Sequence, residues 1–343
     1  MHKGPLLTVL IIAHERREFI KYAIESLRTQ TEVKGNFEVV VIKKFSDETI
    51  DSLVSSSGYL NLITEKDSLG EKIYEALSQC NGQFISFLED DDLFVKNKIC
   101  EIVRLLQRNE DLIYVHNDHL TIDIEGNLMG IKLGNNLPKT TLMNLNKCSY
   151  IEIGKLAKYD PDFNLSSITI KSDIVRNNKE MLKKINFSID ALMYFLAISN
   201  NSGSILLYKG ELTKFRYYKK DGLTIVPSKG RTIESVSNFA ECQYNFDKTM
   251  FEIIVGKHAK KILYMRVIED ELKLSILTER KKEGVHIIYA FKLLLYALRI
   301  GEFYKVKLAI MGLLNLLNHE FSKKKYIKGN LFLSDHYPEI PPI

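Results

Sequence analysis

Apolar runs of strand length alternate with helical patterns through the first 120 residues, and this alternation limits the possible folds more than any other feature. Leu6–Ala13 is continuously apolar and rich in Val, Ile and Leu, as a strand covered on both faces must be. Phe19, Ile20, Ala23, Ile24 and Leu27 then recur at spacings of three and four, which predicts an amphipathic helix. Phe37–Ile42 predicts a second buried strand, and Ser46-Asp47-Glu48 opens a second helix with good capping chemistry. Leu60–Thr64, Phe84–Leu88 and Leu112–His116 read as further strands, separated by helices over Leu69–Cys80 and Lys96–Gln107. Such a chain is α/β, with a doubly wound, mostly parallel sheet. Ligands bind such sheets off the carboxyl ends of the strands. Ala13-His14-Glu15, Lys43-Lys44, Glu65-Lys66-Asp67 and the acids from Glu89 to Asp92 all fall at those ends.

Beyond residue 120 the pattern loosens. Phe163–Ile170 predicts a strand, Asp173–Lys184 a helix, and Ile189–Ile198 an apolar helix opening near Ser188 and Asp190. Ser204–Tyr208 and Thr213–Tyr218 predict two closing strands, with Lys219-Lys220-Asp221-Gly222 as a turn. From about Arg231 the chain reads as helix only, with amphipathic patterns over Lys260–Leu277, Val285–Arg299 and Tyr304–Leu317. The expected division is an α/β half over 1–120, a second half of the same domain over 121–230, and an all-helical C-terminal appendage over 231–343.

The run Phe84-Ile85-Ser86-Phe87-Leu88-Glu89-Asp90-Asp91-Asp92 concentrates the chemistry. Four adjacent carboxylates repel one another and resist burial, so they need a cation or full solvation. Along an extended chain Glu89 and Asp91 share one side, Asp90 and Asp92 the other. Oxygen-only ligands suit Mg²⁺ or Mn²⁺, which commonly bridges a few carboxylates to substrate phosphates. An acidic loop at a strand end, or acids favouring a helix N-terminus, is the plainer reading. His116 and His119 stand three apart, but on a strand that spacing does not bring two rings to one ion. No P-loop, GxGxxG or nucleophile elbow is present.

Together these pieces resemble glycosyltransferase family 2, inverting nucleotide-sugar enzymes with the GT-A fold. The resemblance is carried by Val9-Leu10-Ile11-Ile12-Ala13-His14-Glu15-Arg16, by Ser26-Leu27-Arg28-Thr29-Gln30-Thr31 and by Phe37-Glu38-Val39-Val40-Val41-Ile42. Asn81-Gly82 through Asp92 is similar to the family's metal-binding DXD segment, and Ser188-Ile189-Asp190-Ala191-Leu192 to the segment with the catalytic base. Phe215-Arg216-Tyr217-Tyr218 to Leu223-Thr224 is similar to its closing stretch. The resemblance implies transfer of a sugar from a nucleotide-sugar donor to a hydroxyl of a glycan, polysaccharide or lipid-linked acceptor. It implies Asp91 as metal ligand with help from Glu89, Asp90 toward donor hydroxyls, and Asp190 as base. Ala13, His14, Glu15, Lys43, Lys44 and Lys72 fall on the donor side. Lys72 can face solvent or reach the diphosphate, and Asp190 can be a plain helix cap. Three departures stand out: Lys43-Lys44 replaces the family's paired acids, Glu89 begins the DXD segment, and Tyr218-Lys219 replaces the closing histidine. The lysines, as strand-end residues, read by default as solvated, and otherwise as phosphate or base contacts. A nucleotidyltransferase-like enzyme and a non-catalytic nucleotide- or glycan-binding module are the competing readings, though the former usually has a glycine-rich loop after its first strand, where this chain has none.

The net charge of +5 hides an asymmetry. Lys257 to Lys328 carries 16 Lys and Arg against 7 Asp and Glu, a local +9 that leaves −4 for the remainder. A basic tail on an acidic body suits an anionic partner, and its apolar stripes suit either a packed bundle or oligomer contact or a membrane interface. No nucleic-acid partner is expected. Four cysteines without CxxC spacing, and no signal-peptide pattern at the N-terminus, predict a cytoplasmic protein, peripheral on the membrane if the tail binds lipid.

Overall fold

All six residues of the first strand are buried, because the parallel sheet around it is covered on both faces. The computed structural model describes residues 4–13, 17–31, 37–133, 137–200, 202–218, 233–278 and 283–334. The chain divides into two compact units, residues 1–147 with 159–216, and residues 148–158 with 217–343.

The first unit holds strands β1 (Leu7–Ile12), β2 (Phe37–Lys43), β3 (Leu60–Ile63), β4 (Phe84–Glu89), β5 (Leu93–Phe94), β6 (Leu112–Ile122), β7 (Thr141–Asn144), β8 (Ile168–Lys171) and β9 (Ser204–Arg216). Its helices are α1 (Arg17–Arg28), α2 (Glu48–Ser56), α3 (Leu69–Ala76), α4 (Lys98–Arg108), α6 (Ser172–Asn177) and α7 (Ile189–Ser199). The second unit holds α5 (Tyr150–Gly154), α8 (Ile233–Ile253), α9 (Lys257–Leu277), α10 (Glu283–Ile300), α11 (Phe303–Leu317) and α12 (His319–Ser334).

The sheet runs β3-β2-β1-β4-β8-β6-β9-β5, with β7 also paired to β9. β3, β2, β1 and β4 are mutually parallel, β8 runs antiparallel between β4 and β6, and β6 pairs with β9 in parallel. Alternation sends Leu7, Val9 and Ile11 of β1 into one apolar cluster with Val39 and Val41 of β2 and with Ile20, Ala23, Ile24 and Leu27 of α1. Ile20, Ile24 and Leu27 each contribute about 2 kcal/mol by leaving water. Asp47 caps α2, accepting from the backbone N–H groups of Thr49 and Ile50.

Several expectations change here. Phe163–Ile170 is a strand only over Ile168–Lys171. Asn164 takes a φ of 60° and accepts from the Ser166 N–H, which winds Leu165–Ser167 into a 3-10 turn. The helix expected over Asp173–Lys184 stops at Asn177, where the Asn178 amide donates to the Ile174 carbonyl in place of a further helical turn. The two closing strands are one strand, β9, because register shifts opposite Asn117–His119 absorb its extra residues as a bulge. The Lys219–Gly222 turn lies outside the described residues.

In the second unit α9 is buried over most of its C-terminal half, with Lys257 and Lys261 exposed near its start. Glu269, inside it, meets Lys273 at 2.9 Å and Lys305 of α11 at 2.5 Å. Both cations hold its carboxyl below the usual range despite burial, which raises it. Among the described residues no helix is long and apolar enough to cross a membrane.

Candidate active site

Register alone assembles the carboxyl edge. Ile12 of β1 lies opposite Ile42 of β2 on one side and Glu89 of β4 on the other. Ala13, Lys43-Lys44 and Asp90 therefore emerge side by side, and the Ala13 N–H donates to the Ile42 carbonyl. His14 and Glu15 lie outside the described residues.

The acidic run does not continue the strand, so alternation along an extended chain does not govern it. The chain turns at Asp90-Asp91, and the Asp92 N–H donates back to the Glu89 carbonyl at 3.2 Å. Asp90, Asp91 and Asp92 are buried and Glu89 half-buried. Such a turn survives burial only if nearby cations and donors offset the desolvation. Arg216, the last residue of β9, is central to this. Its backbone N–H donates to Asp92 Oδ1 at 2.9 Å and its Nε to the Asp91 carbonyl at 2.8 Å. Its Nη1 reaches the carbonyls of Asp123 and Ile124, and the guanidinium lies 4.8 Å from the Phe19 ring centre. Asp92 is thus held by the end of β9. Removing the guanidinium strips a donor from several carbonyls, each costing about 1–3 kcal/mol when left buried. Arg216→Ala is expected to lower unfolding stability by roughly 2–4 kcal/mol in urea titrations, and Arg216→Lys to recover less than half, since one ammonium cannot reproduce a planar fork.

Lys98 lies within the same framework. It is fully buried, with Nζ donating to the Ser166 carbonyl at 2.5 Å and to Thr213 Oγ1 at 2.9 Å, over the Phe94 ring. Burial drives its pKa well below the usual lysine value, while Asp92 pulls the other way. Neither Lys98 nor Arg216 was singled out as a site residue by sequence reasoning. Lys98 looks like any helix-opening lysine, whereas Arg216 sits in a segment already noted for its resemblance.

The three lysines expected on the donor side differ from one another. Lys43 is not solvated: it is fully buried, 2.6 Å from Asp51 Oδ1, and donates to the Phe45 carbonyl at 2.5 Å. Although burial raises it, hydrogen bonds from Lys43 and Asn61 bring the Asp51 carboxyl down to about 2. Lys44 pairs with Asp67 nearer the surface. Lys72 also turns inward instead of facing solvent. It is buried, and its Nζ donates to the Ala13 carbonyl at 3.2 Å, which places an ammonium at the end of β1.

Asp190 stands one residue inside α7, so it is not the cap. Ser188 holds that position, with a left-handed φ of 55°. Asp190 Oδ1 accepts from the Ala191 N–H at 2.9 Å. The half-buried carboxyl is crowded by protein. Burial first, and the neighbouring charge of Asp162 second, push it up to about 6, against hydrogen bonds from Ala191, Ser188 and the Asn164 backbone. The Asn164-Leu165-Ser166 turn connects this group to the acids, since Ser166 Oγ accepts from the Glu89 N–H at 3.0 Å. One short segment therefore touches both the base candidate and the end of β4.

Among the described residues no three His, Cys, Asp or Glu side chains converge as an all-protein metal cage would require. The donor chemistry at the turn is oxygen only, which fits a hard ion held by one or two carboxylates and completed by substrate phosphates. Asp91 and Glu89 are the groups that would hold it. His116 and His119 do not form a metal pair: His116 Nε2 engages the Phe163 carbonyl at 2.7 Å, and the His119 ring packs 5.2 Å from that of Phe163. Burial pushes His119 down to about 4, against the pull of Asp118.

Residues 8–149 match the family model described as glycosyl transferase family 2. An uncharacterized glycosyltransferase of Rickettsia bellii is 29% identical over 144 residues, covering 39% of this chain and 20% of that protein. One from Haemophilus influenzae is 24% identical over 114 residues, covering 33% of this chain and 38% of that protein. The chain thus spans well under half the length of either curated relative. The crystal structure of S. aureus TarS 1-349 in complex with UDP-GlcNAc superposes with a TM-score of 0.58 at 16% identity, over 94% of this chain and 92% of that one. At that identity the likeness establishes a shared GT-A-like fold, with a mostly parallel sheet followed by helices. The segment that delivers the acidic turn, residues 8–149, is the part of this chain that is similar to glycosyl transferase family 2.

Proposed function

We propose that the chain is an inverting glycosyltransferase that moves a sugar from a nucleotide-sugar donor to a hydroxyl of a glycan, polysaccharide or lipid-linked acceptor. The observation that carries this reading is the pairing of a buried acidic turn with a separate carboxyl, Asp190, raised to about 6 and linked to it through Asn164–Ser166. A nucleoside diphosphate leaves readily once its charge is neutralised, so the donor side needs little acid catalysis. Bound at Asp91 and Glu89, a Mg²⁺ or Mn²⁺ ion would supply that neutralisation. On the donor side Lys72 presents an ammonium beside Ala13, and Asp90 suits donor hydroxyls. Lys43 and Lys44 act there mainly by shaping the end of β2, since both are engaged by acids of the same unit. On the acceptor side Asp190 accepts the proton of the attacking hydroxyl as the new bond forms, and a pKa near the working pH suits that task.

A panel of nucleotide-sugars with Mn²⁺ tests the reading, by release of nucleoside diphosphate and by the anomeric configuration of the product. UDP-GlcNAc is the first member to try, because TarS was crystallised with it. Diphosphate release with an inverted product is the expected result. Release of sugar 1-phosphate would indicate a nucleotidyltransferase, and binding without turnover of any donor would indicate a recognition module.

A further inference from the structure

Two neighbouring helices of the C-terminal unit expose apolar rows that nothing in the described structure covers. On α10, Ile288, Phe291, Leu295 and Leu298 follow one another at three and four residues, with Phe291 53% and Leu298 61% exposed. On α11, Phe303, Ile310 and Leu317 continue the pattern, at 80%, 46% and 85% exposure. Both helices pack against α9 and against each other, so their exposed rows face away from α9. Single exposed apolar residues need no explanation, but exposed apolar rows on two helices that pack together are of the kind that marks an interaction site.

Charge selects the occupant. Residues 284–318 contain Lys292, Arg299, Lys305 and Lys307 against a single acid, Glu302. Glu302 and Lys305 pair at 3.2 Å, and Lys305 also serves buried Glu269. The remaining cations, Lys292, Arg299 and Lys307, are exposed, with Lys292 Nζ also donating to the Tyr264 hydroxyl of α9 at 2.7 Å. Arg299 and Lys292 follow each other along one flank of the α10 row, and Lys307 lies within that of α11. Lys324, Lys325 and Lys328 add exposed cations on α12. A second copy docked on this face would bring like charges together, whereas an anionic lipid surface answers both the apolar rows and the cations.

We propose that the exposed face of α10 and α11 docks on an anionic lipid membrane, lying in the interface without crossing it. Long basic side chains at the rim reach the headgroups while Phe291, Leu295 and Leu298 enter the acyl boundary. The inference is independent of the activity proposed above, and its test needs no turnover.

The chain has no tryptophan, so Phe291→Trp places a single fluorophore in the patch. With phosphatidylglycerol-containing vesicles at low salt, the full chain carrying this change is expected to float with the lipid and its emission to shift to the blue. Pure phosphatidylcholine vesicles and high salt should weaken both readouts. Leu142→Trp, an exposed position in the first unit, should show no shift. Removing cations by Arg299→Gln and Lys307→Gln is expected to weaken partitioning roughly fivefold each. All of these positions are exposed, so unchanged circular dichroism and melting confirm intact folding. A chain that stays soluble beside anionic vesicles at low salt overturns the proposal. So does a tryptophan signal that responds to protein concentration instead of lipid, which would assign the face to a second copy.

Discussion

Asp190→Asn is expected to bind a nucleotide-sugar with unchanged affinity while turnover falls by about 10²–10⁴-fold, the usual contribution of a positioned base. The amide keeps the shape and can still accept from the Ala191 N–H, but it cannot take a proton. Two further readouts separate a base from a merely structural group. The first is the pH profile. The Asp190 carboxyl titrates near 6 in the folded chain, so kcat/KM should fall as pH drops through that value, and this limb should vanish in the residual activity of the variant. The second is linkage. A carboxyl raised from 3.8 to about 6 by burial means that the folded state binds the extra proton between those values. Folding stability contributed by that proton is present below about 4 and lost as pH rises through about 6, and Asp190→Asn should flatten this decline. Near-native transfer by the variant would place the base elsewhere.

Asp91→Asn is expected to weaken Mn²⁺-dependent binding of a nucleoside diphosphate by at least about 100-fold. Disturbing only the outer shell of a metal site already costs about 10–100-fold. Asparagine is preferred to alanine because Asp91 is buried, not simply perched at a strand end, and a void there would confound binding with folding. Calorimetry with and without Mn²⁺ makes the comparison. Affinity that is unchanged in the variant would remove Asp91 from the donor site.

Much of the first unit was legible because its information is local. The apolar runs that became β1, β2 and β4 are buried on both faces, and a strand of that kind announces itself whatever surrounds it. Asp47 was readable as the opening of α2 from its own chemistry. What failed was information that arrives from elsewhere in the chain. Lys43 follows a strand and looks solvated, yet Asp51 of α2 draws it inside. Lys72 sits on a helix whose sequence gives no hint that the Ala13 carbonyl will face its ammonium. The four acids suggested alternation, but a turn at Asp90-Asp91 replaced it, and the partner that holds that turn lies more than a hundred residues away at Arg216. The 3-10 turn at Leu165–Ser167 depends on the left-handed backbone of Asn164, which no periodicity reveals. The Asp190 carboxyl was found by resemblance, while its elevated pKa comes from packing and from Asp162.

The late position of Arg216 has a consequence for biosynthesis. Strands β1, β2 and β4 are translated within the first 90 residues and can pair with one another as soon as they emerge. The acidic turn made at the end of β4 must then wait through more than a hundred further residues for β9 to align beside β6 and supply its clamp. Pairings of such long sequence separation close slowly. A nascent chain, or one terminated early, therefore carries four crowded carboxylates without Arg216 and Lys98 fixed around them, and the acidic turn matures only near the end of the domain's synthesis.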